Sequence, residues 1–441
     1  MKKNGFIMST YVYILLVFFL LLLGTMLVVL NNTRLLANKI KENTDGNIDF
    51  NLVLKGDKEI FIVKDSEYIE PGCIATTFDG EKLEVRVMGE ANAKKSGEYD
   101  IEYSAEYKWV EKKVKRKVIV GENLVTYITN LYEDSITRAS NNLKKDNTED
   151  KNIRYYGANP NNYVRFNNEL WRIIGIFGNN VKLIRNDRLG WLSWDTSEST
   201  VNSGYGINQW GESKDTSGNI YEGADLQVYL NKMYYGGIEV TCYNDLNNTK
   251  TTCPKDSKGN FLTIDETSKS FIDNHSWNIG APNHSTLNNS TTQSYDTVEF
   301  YKAERGNATG RICNGGDACN DTVERTITWT GYIGLQYITD YAYASSESVC
   351  ETNMQEQDSS NAYICKNNNW MQRSTLAWYL SPNAYPGNAR YVGVVFGNGR
   401  ADEYATARPL SVFPTMYLKS NVIIESGNGS TSDPYVLKLG N

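Results

Sequence analysis

Apolar residues crowd into one block near the start of the chain and then spread into short alternating runs. That distribution predicts one membrane helix followed by β-rich folded units. Residues 7–33 carry no charge, and residues 11–30 (YVYILLVFFLLLLGTMLVVL) are almost wholly apolar. About 20 such residues at ~1.5 Å each span a bilayer core. A secretory h-region is shorter, roughly 7–15 residues, and ends at a small-x-small site. Here Asn31, Asn32, Thr33 and Arg34 follow instead. The reading is a retained anchor, with the lipid bilayer as partner through residues 8–30 and the Tyr11 and Tyr13 rings at one interface. Leu35, Leu36 and Ile40 continue at helical spacing, so the helix should run on as a stalk until Gly46.

From residue 48 to 120 the period changes to two: Ile60/Ile62, Leu83/Val85/Val87, Tyr99/Ile101/Tyr103 and Val114/Val118/Val120, broken by Asp79-Gly80 and Ser96-Gly97. This predicts a small all-β sandwich. Residues 121–152 read as an amphipathic helix, with Leu124, Ile128 and Leu131 at i, i+4, i+7, followed by a polar linker from Lys144 to Asn152. Residues 153–441 read as one large α+β unit. A hairpin about Asn167-Asn168 opens it, a strand holding Val181 and Ile184 follows, and a helix runs near Asp225 to Met233 with Asp225 or a neighbour as cap. Its end is again β, through Trp378, Val392 to Val395, a Gly397-Asn398-Gly399 turn, Arg408-Pro409 and Tyr417.

Three resemblances attach to these segments. Lys2-Lys3-Asn4-Gly5-Phe6 before the apolar helix resembles a type IV prepilin leader, which implies cleavage between Gly5 and Phe6 and self-assembly through the N-terminal helix. That family usually has Glu at the fifth mature position, where this chain has Thr10; a simple signal anchor is the alternative. Tyr68-Ile69-Glu70-Pro71-Gly72, Ala75-Thr76-Thr77-Phe78-Asp79-Gly80 and residues 95–103 (KSGEYDIEY) resemble the immunoglobulin-like repeats of Gram-positive surface proteins, which implies a spacer. The closing order of the large unit resembles an uncharacterised module of Gram-positive gut bacterial surface proteins and, more distantly, the C-type-lectin-like fold shared with formylglycine-generating enzymes. The fold class implied is multidomain: transmembrane helix, all-β immunoglobulin-like sandwich, and α+β C-type-lectin-like head with disulfides.

Composition narrows the function classes. Against 45 basic residues stand 52 acidic ones, net −7, so no positive field favours nucleic acid. The basic run Lys112, Lys113, Lys115, Arg116, Lys117 is interleaved by Val114 and reads as a solvated strand face or a contact with wall polyanions. The two histidines, His275 and His284, lie in polar stretches that predict surface loops. Asp402-Glu403 should point to opposite faces of a strand and be solvated.

Six of the seven cysteines fall in residues 153–441 as neighbours, Cys242/Cys253, Cys313/Cys319 and Cys350/Cys365. Six cysteines allow 15 connectivities, of which local clasps suit these Gly- and Asn-rich loops best. No zinc spacing occurs. Disulfides place the C-terminal unit outside the cell, which fixes a single-pass topology with the N-terminus inside. Cys73 reads as a small buried thiol.

No cofactor, metal or catalytic constellation is expected, and the chain reads as a binder of a surface glycan or protein rather than an enzyme. Tyrosine (30) and tryptophan (9) among Asn and Gly supply recognition chemistry. Trp171, Trp329 and Trp378 lie on strand-like runs and should be core, whereas Trp191, Trp194, Trp210, Trp277 and Trp370 are the candidate ligand platforms.

Overall fold

In the computed structural model, residues 10–45, 49–198, 202–215, 218–280, 297–306, 323–324, 326–352, 364–385, 388–399 and 401–440 are described. Helix α1 runs without a break from Thr10 to Asp45, as the anchor-plus-stalk pattern requires. Its span Ile14–Arg34 is long and apolar enough to cross a membrane, and its side chains there are exposed. Gly5 and Phe6 lie outside the described residues.

The chain divides into two compact units. The first holds residues 1–60, 67–93 and 97–119, the second residues 61–66, 94–96 and 120–441. In the sandwich, β1 (Phe50–Leu54), β3 (Cys73–Thr77) and β4 (Lys82–Leu83) form one sheet in the order β1-β3-β4. Strands β2 (Glu59–Val63), β5 (Arg86–Met88), β6 (Gly97–Tyr107) and β7 (Val110–Gly121) form the other in the order β2-β7-β6-β5. Alternation places Phe50, Ala75 and Ala105 in the core between them. The basic run splits by the same alternation. Lys112 pairs with Asp49, Lys113 and Lys115 with Glu102, and Lys117 with Glu98, while Arg116 turns inward to the Glu70 carboxylate. Cys73 is half-exposed rather than buried, its Sγ 3.2 Å from the Val53 carbonyl.

Residues 121–152 are not a separate helix and linker. The helix is broken at Asp134, where ψ of 123° ends α2 (Leu124–Glu133) and the carboxylate caps α3 (Ser135–Ser140). Leu143–Lys145 then forms β8, which pairs with β9 (Ile153–Tyr155) at the margin of the main sheet. The polar run is ordered because Asp146 is buried, its Oδ2 2.7 Å from Arg154 Nε, while Arg154 Nη1 lies 2.6 Å from Asp340. Lys182 Nζ meets the other Asp340 oxygen at 2.6 Å beneath the Tyr337 ring. Burial brings Lys182 down to about 8 even against that carboxylate.

The hairpin of β10 (Tyr163–Phe166) and β11 (Glu169–Phe177) forms about Asn167 and Asn168, both in the left-handed region. With β12 (Asn180–Arg185) it centres a nine-stranded sheet that also takes strands Ile333–Leu335, Pro414–Leu418, Val422–Ser426 and Tyr435–Leu439. A bulge at Gly175 lets β9 join the far edge of β11: a Cβ there would sit 2.2 Å from the Ile153 carbonyl oxygen. A second, five-stranded sheet runs β13 (Gly190–Leu192), Leu410–Val412, Ala377–Tyr385, Asn388–Val395, Ala401–Ala405. Asp402 in its last strand is buried rather than solvated, and Glu403 is half-buried and accepts from Asn383. The unit is mostly β-sheet with short helices.

Candidate functional site

The tryptophans sort against expectation. Trp194, Trp210 and Trp277 are 0% exposed and Trp370 4%, so four of the five candidate platforms are core. Trp194 and Trp210 pack with ring centroids 4.8 Å apart, and Trp194 meets Trp378 at 5.9 Å. Trp277 Nε1 donates to the Gly331 carbonyl and Trp370 Nε1 to that of Tyr155. Their loop-like sequence context misled because a large indole between irregular segments is the packing that holds those segments. Trp191 alone is open, 47% exposed on β13 with the Arg188 guanidinium 4.6 Å from its ring. His275 is also no loose surface group: it lies on strand His275–Asn278, stacks on Tyr417 at 3.7 Å and holds Asp273 at 3.0 Å. Burial lowers its pKa. His284 lies outside the described residues.

Cys242–Cys253 and Cys350–Cys365 are disulfides, while Cys313 and Cys319 lie outside the described residues. The first clasp closes the hairpin of strands Cys242–Asp245 and Thr249–Thr251. Ser193 N donates to the Tyr243 carbonyl, which ties this hairpin to the segment after β13.

That junction makes a cleft of about 330 Å3 lined by Asp195, Thr196, Glu222, Asp225, Thr241 and Tyr243, among others. Asp225 does not cap its helix. It is the first residue of α4 (Asp225–Val228), which runs on as a π-helix through Tyr229–Tyr235, and Ala224 makes no side-chain cap. Its Oδ2 instead accepts from the Thr196 backbone N at 2.8 Å and lies 3.0 Å from Thr196 Oγ1. Asp195 accepts from Asp225 N at 3.0 Å and from Ile207 N at 2.6 Å. Gly206 is needed beside it, since its φ is +71° and a Cβ would lie 2.4 Å from Asp195 Oδ2.

Burial pushes Asp225 up to about 6. Burial and then the Asp225 charge hold Asp195 well above the usual carboxylate range. The cleft therefore holds two neighbouring carboxyl groups that keep their protons more readily than ordinary aspartates. Among the described lining residues there are three carboxyl groups, Asp195, Glu222 and Asp225, and no cation, so the cleft disfavours anions and suits hydroxyl- or amine-bearing ligands. No cluster of three or more His, Cys, Asp or Glu among the described residues is arranged for a metal. The cleft was not legible in sequence: Asp195 and Asp225 are thirty residues apart, with no motif linking them.

Residues 52–120 match the family model described as a bacterial surface protein, Ig-like domain. Among solved structures the chain is similar to a lipoprotein from Bacteroides thetaiotaomicron, at 20% identity over 40% of this chain and 77% of that one, with a TM-score of 0.16. It is also similar to the CBM51-2 and INT domains of Clostridium perfringens ZmpB in complex with GlcNAc, at 13% identity over 39% and 37%, with a TM-score of 0.15. Likenesses this faint bear on neither fold nor ligand. No curated protein matches the chain. The chain thus carries a bacterial surface Ig-like domain behind an N-terminal apolar helix.

Proposed function

We propose that the chain is a single-pass bacterial membrane protein whose immunoglobulin-like spacer and C-terminal unit lie outside the cell, and whose C-terminal unit recognises a surface glycan or protein. The cleft of Asp195, Asp225 and Tyr243 carries this reading: it joins hydroxyl, carboxyl and aromatic groups that suit a neutral polyhydroxyl or amine ligand. The C-type-lectin-like kinship of this unit belongs to the same proposal and rests on the order of its closing strands. Binding rather than catalysis is its role.

The test is a glycan and host-protein screen of the full chain in lipid nanodiscs, repeated with Tyr243→Ala. Micromolar binding that the variant weakens at least tenfold is the expected result. No micromolar ligand, or one that binds Tyr243→Ala equally well, overturns the assignment. A second reading, a pilin-like filament subunit, is favoured by the Gly5-Phe6 pair ahead of the long α1, and the mature N-terminus discriminates it.

A further inference from the structure

Lys182 and Asp340 make a contact unlike the other lysine–carboxylate pairs among the described residues. Those others stay partly open to water, as Lys144–Glu351 does, whereas both side chains here are 0% exposed. Lys182 Nζ lies 2.6 Å from Asp340 Oδ2 and 4.0 Å from the centre of the Tyr337 ring. The Phe177, Trp277 and Tyr417 rings each stand 5.5 Å from it. The carboxyl is gripped from two further sides, by Arg154 Nη1 on Oδ1 at 2.6 Å and by Tyr337 N on Oδ2 at 2.9 Å. Glu304, also 0% exposed, borders the pair through Thr339, the residue before Asp340, whose Oγ1 donates to it at 2.7 Å.

Of the two cations on Asp340 only Lys182 has a nucleophilic nitrogen, since a guanidinium keeps its charge. Amine and carboxyl held in contact behave as if at a concentration of about 10⁵ M or more, and exclusion of water favours condensation over hydrolysis. An amide also removes two charges whose burial is costly, and it leaves Arg154 balanced by Asp146. Burial brings Lys182 down to about 8 and pushes Glu304 up to about 7, so both exchange protons near neutrality. Burial works against the Asp340 charge, but Lys182 and Arg154 outweigh it, so the departing oxygen takes its protons from other groups.

We propose that Lys182 and Asp340 become joined by an amide bond within the folded chain, with Glu304 carrying the protons. Nζ attacks Cγ, and Arg154 steadies the negative charge that gathers on Oδ1. The Nζ–Cγ bond forms, the Cγ–Oδ2 bond breaks, and Oδ2 leaves as water. The two protons lost by the ammonium are the two gained by Oδ2, so Glu304 ends as it began and no oxidant is needed. The bond ties β12, at the centre of the main sheet, to the helix Ile338–Ala344, across 158 residues of chain. It stands whether or not the acidic cleft binds a ligand.

The experiment is mass spectrometry of a reduced tryptic digest of the full chain purified in detergent. Expected is one linked species joining residues 173–185 to residues 326–366, uncut after Lys182. Its mass should lie about 18 Da below the sum of the two peptides, the water lost on amide formation. Lys182→Arg should give no linked species, and Glu304→Gln should slow its appearance at least about tenfold after synthesis. Two separate peptides at full mass, with cleavage after Lys182, overturn the amide. A linked species that forms as fast in Glu304→Gln overturns the role given to Glu304. Should the variants fail to fold, the digest of the wild-type chain still decides whether the bond exists.

Discussion

Trp191 and Trp194 stand three positions apart on one segment, yet one indole is 47% exposed and the other fully enclosed against Trp210 and Trp378. Trp194→Ala should cost about 3–5 kcal/mol in a urea titration, because the void it leaves cannot close among neighbouring rings. Trp191→Ala should cost less than about 1 kcal/mol. The paired aspartates predict a pH dependence of the opposite sense to an ordinary carboxylate. With Asp225 held at about 6, the folded chain binds more protons than the unfolded one above about pH 4. Stability contributed by the protonated carboxyl is complete below that point and is lost as pH rises through about 6. Glu304, buried and raised to about 7, extends the decline in the same direction. Asp225→Asn should flatten the part of the curve between pH 4 and 6 while keeping the acceptor for Thr196 N, measured as melting temperature against pH.

Elements were legible where one physical cause acts locally. The asparagine pair predicts the β10–β11 hairpin because both residues tolerate positive φ, and two of the three local cysteine pairs are seen as disulfides. Reducing Cys242–Cys253, which are 11 residues apart, or replacing both by alanine, should cost about 3 kcal/mol by loop-closure entropy, visible as a lower melting temperature in reductant. The bulge at Gly175 left no such trace, since an isolated glycine in an apolar run has many uses. Gly175→Ala should prevent β9 from pairing with β11 and destabilise the unit by more than about 3 kcal/mol in the same assay. The stretch from Lys144 to Asn152 was misread as a linker for a related reason. Its polarity is satisfied inside the fold, by Arg154 reaching Asp146, and no local pattern announces a partner eight residues away on another strand.

For the whole molecule, the N-terminal block and the cysteines make a joint claim about topology. Intact mass and N-terminal sequencing of protein from its native membrane should find Met1 or Lys2 if α1 is a permanent anchor, and methylated Phe6 if a prepilin peptidase has acted. Non-reducing peptide mapping of that material should recover the Cys242–Cys253 and Cys350–Cys365 peptides, and free thiols at all four would place the C-terminal unit inside the cell. The sequence by itself marked out the apolar span, the small β-sandwich and the two local cysteine pairs seen as disulfides, because length, period two and short cysteine spacing each act over a few residues. Only the tertiary structure decided which tryptophans are core, that residues 120–152 belong to the C-terminal unit, and that Asp195 meets Asp225. Those outcomes depend on burial and on charges brought together across long stretches of chain, and a side chain's type does not reveal what the fold will place against it.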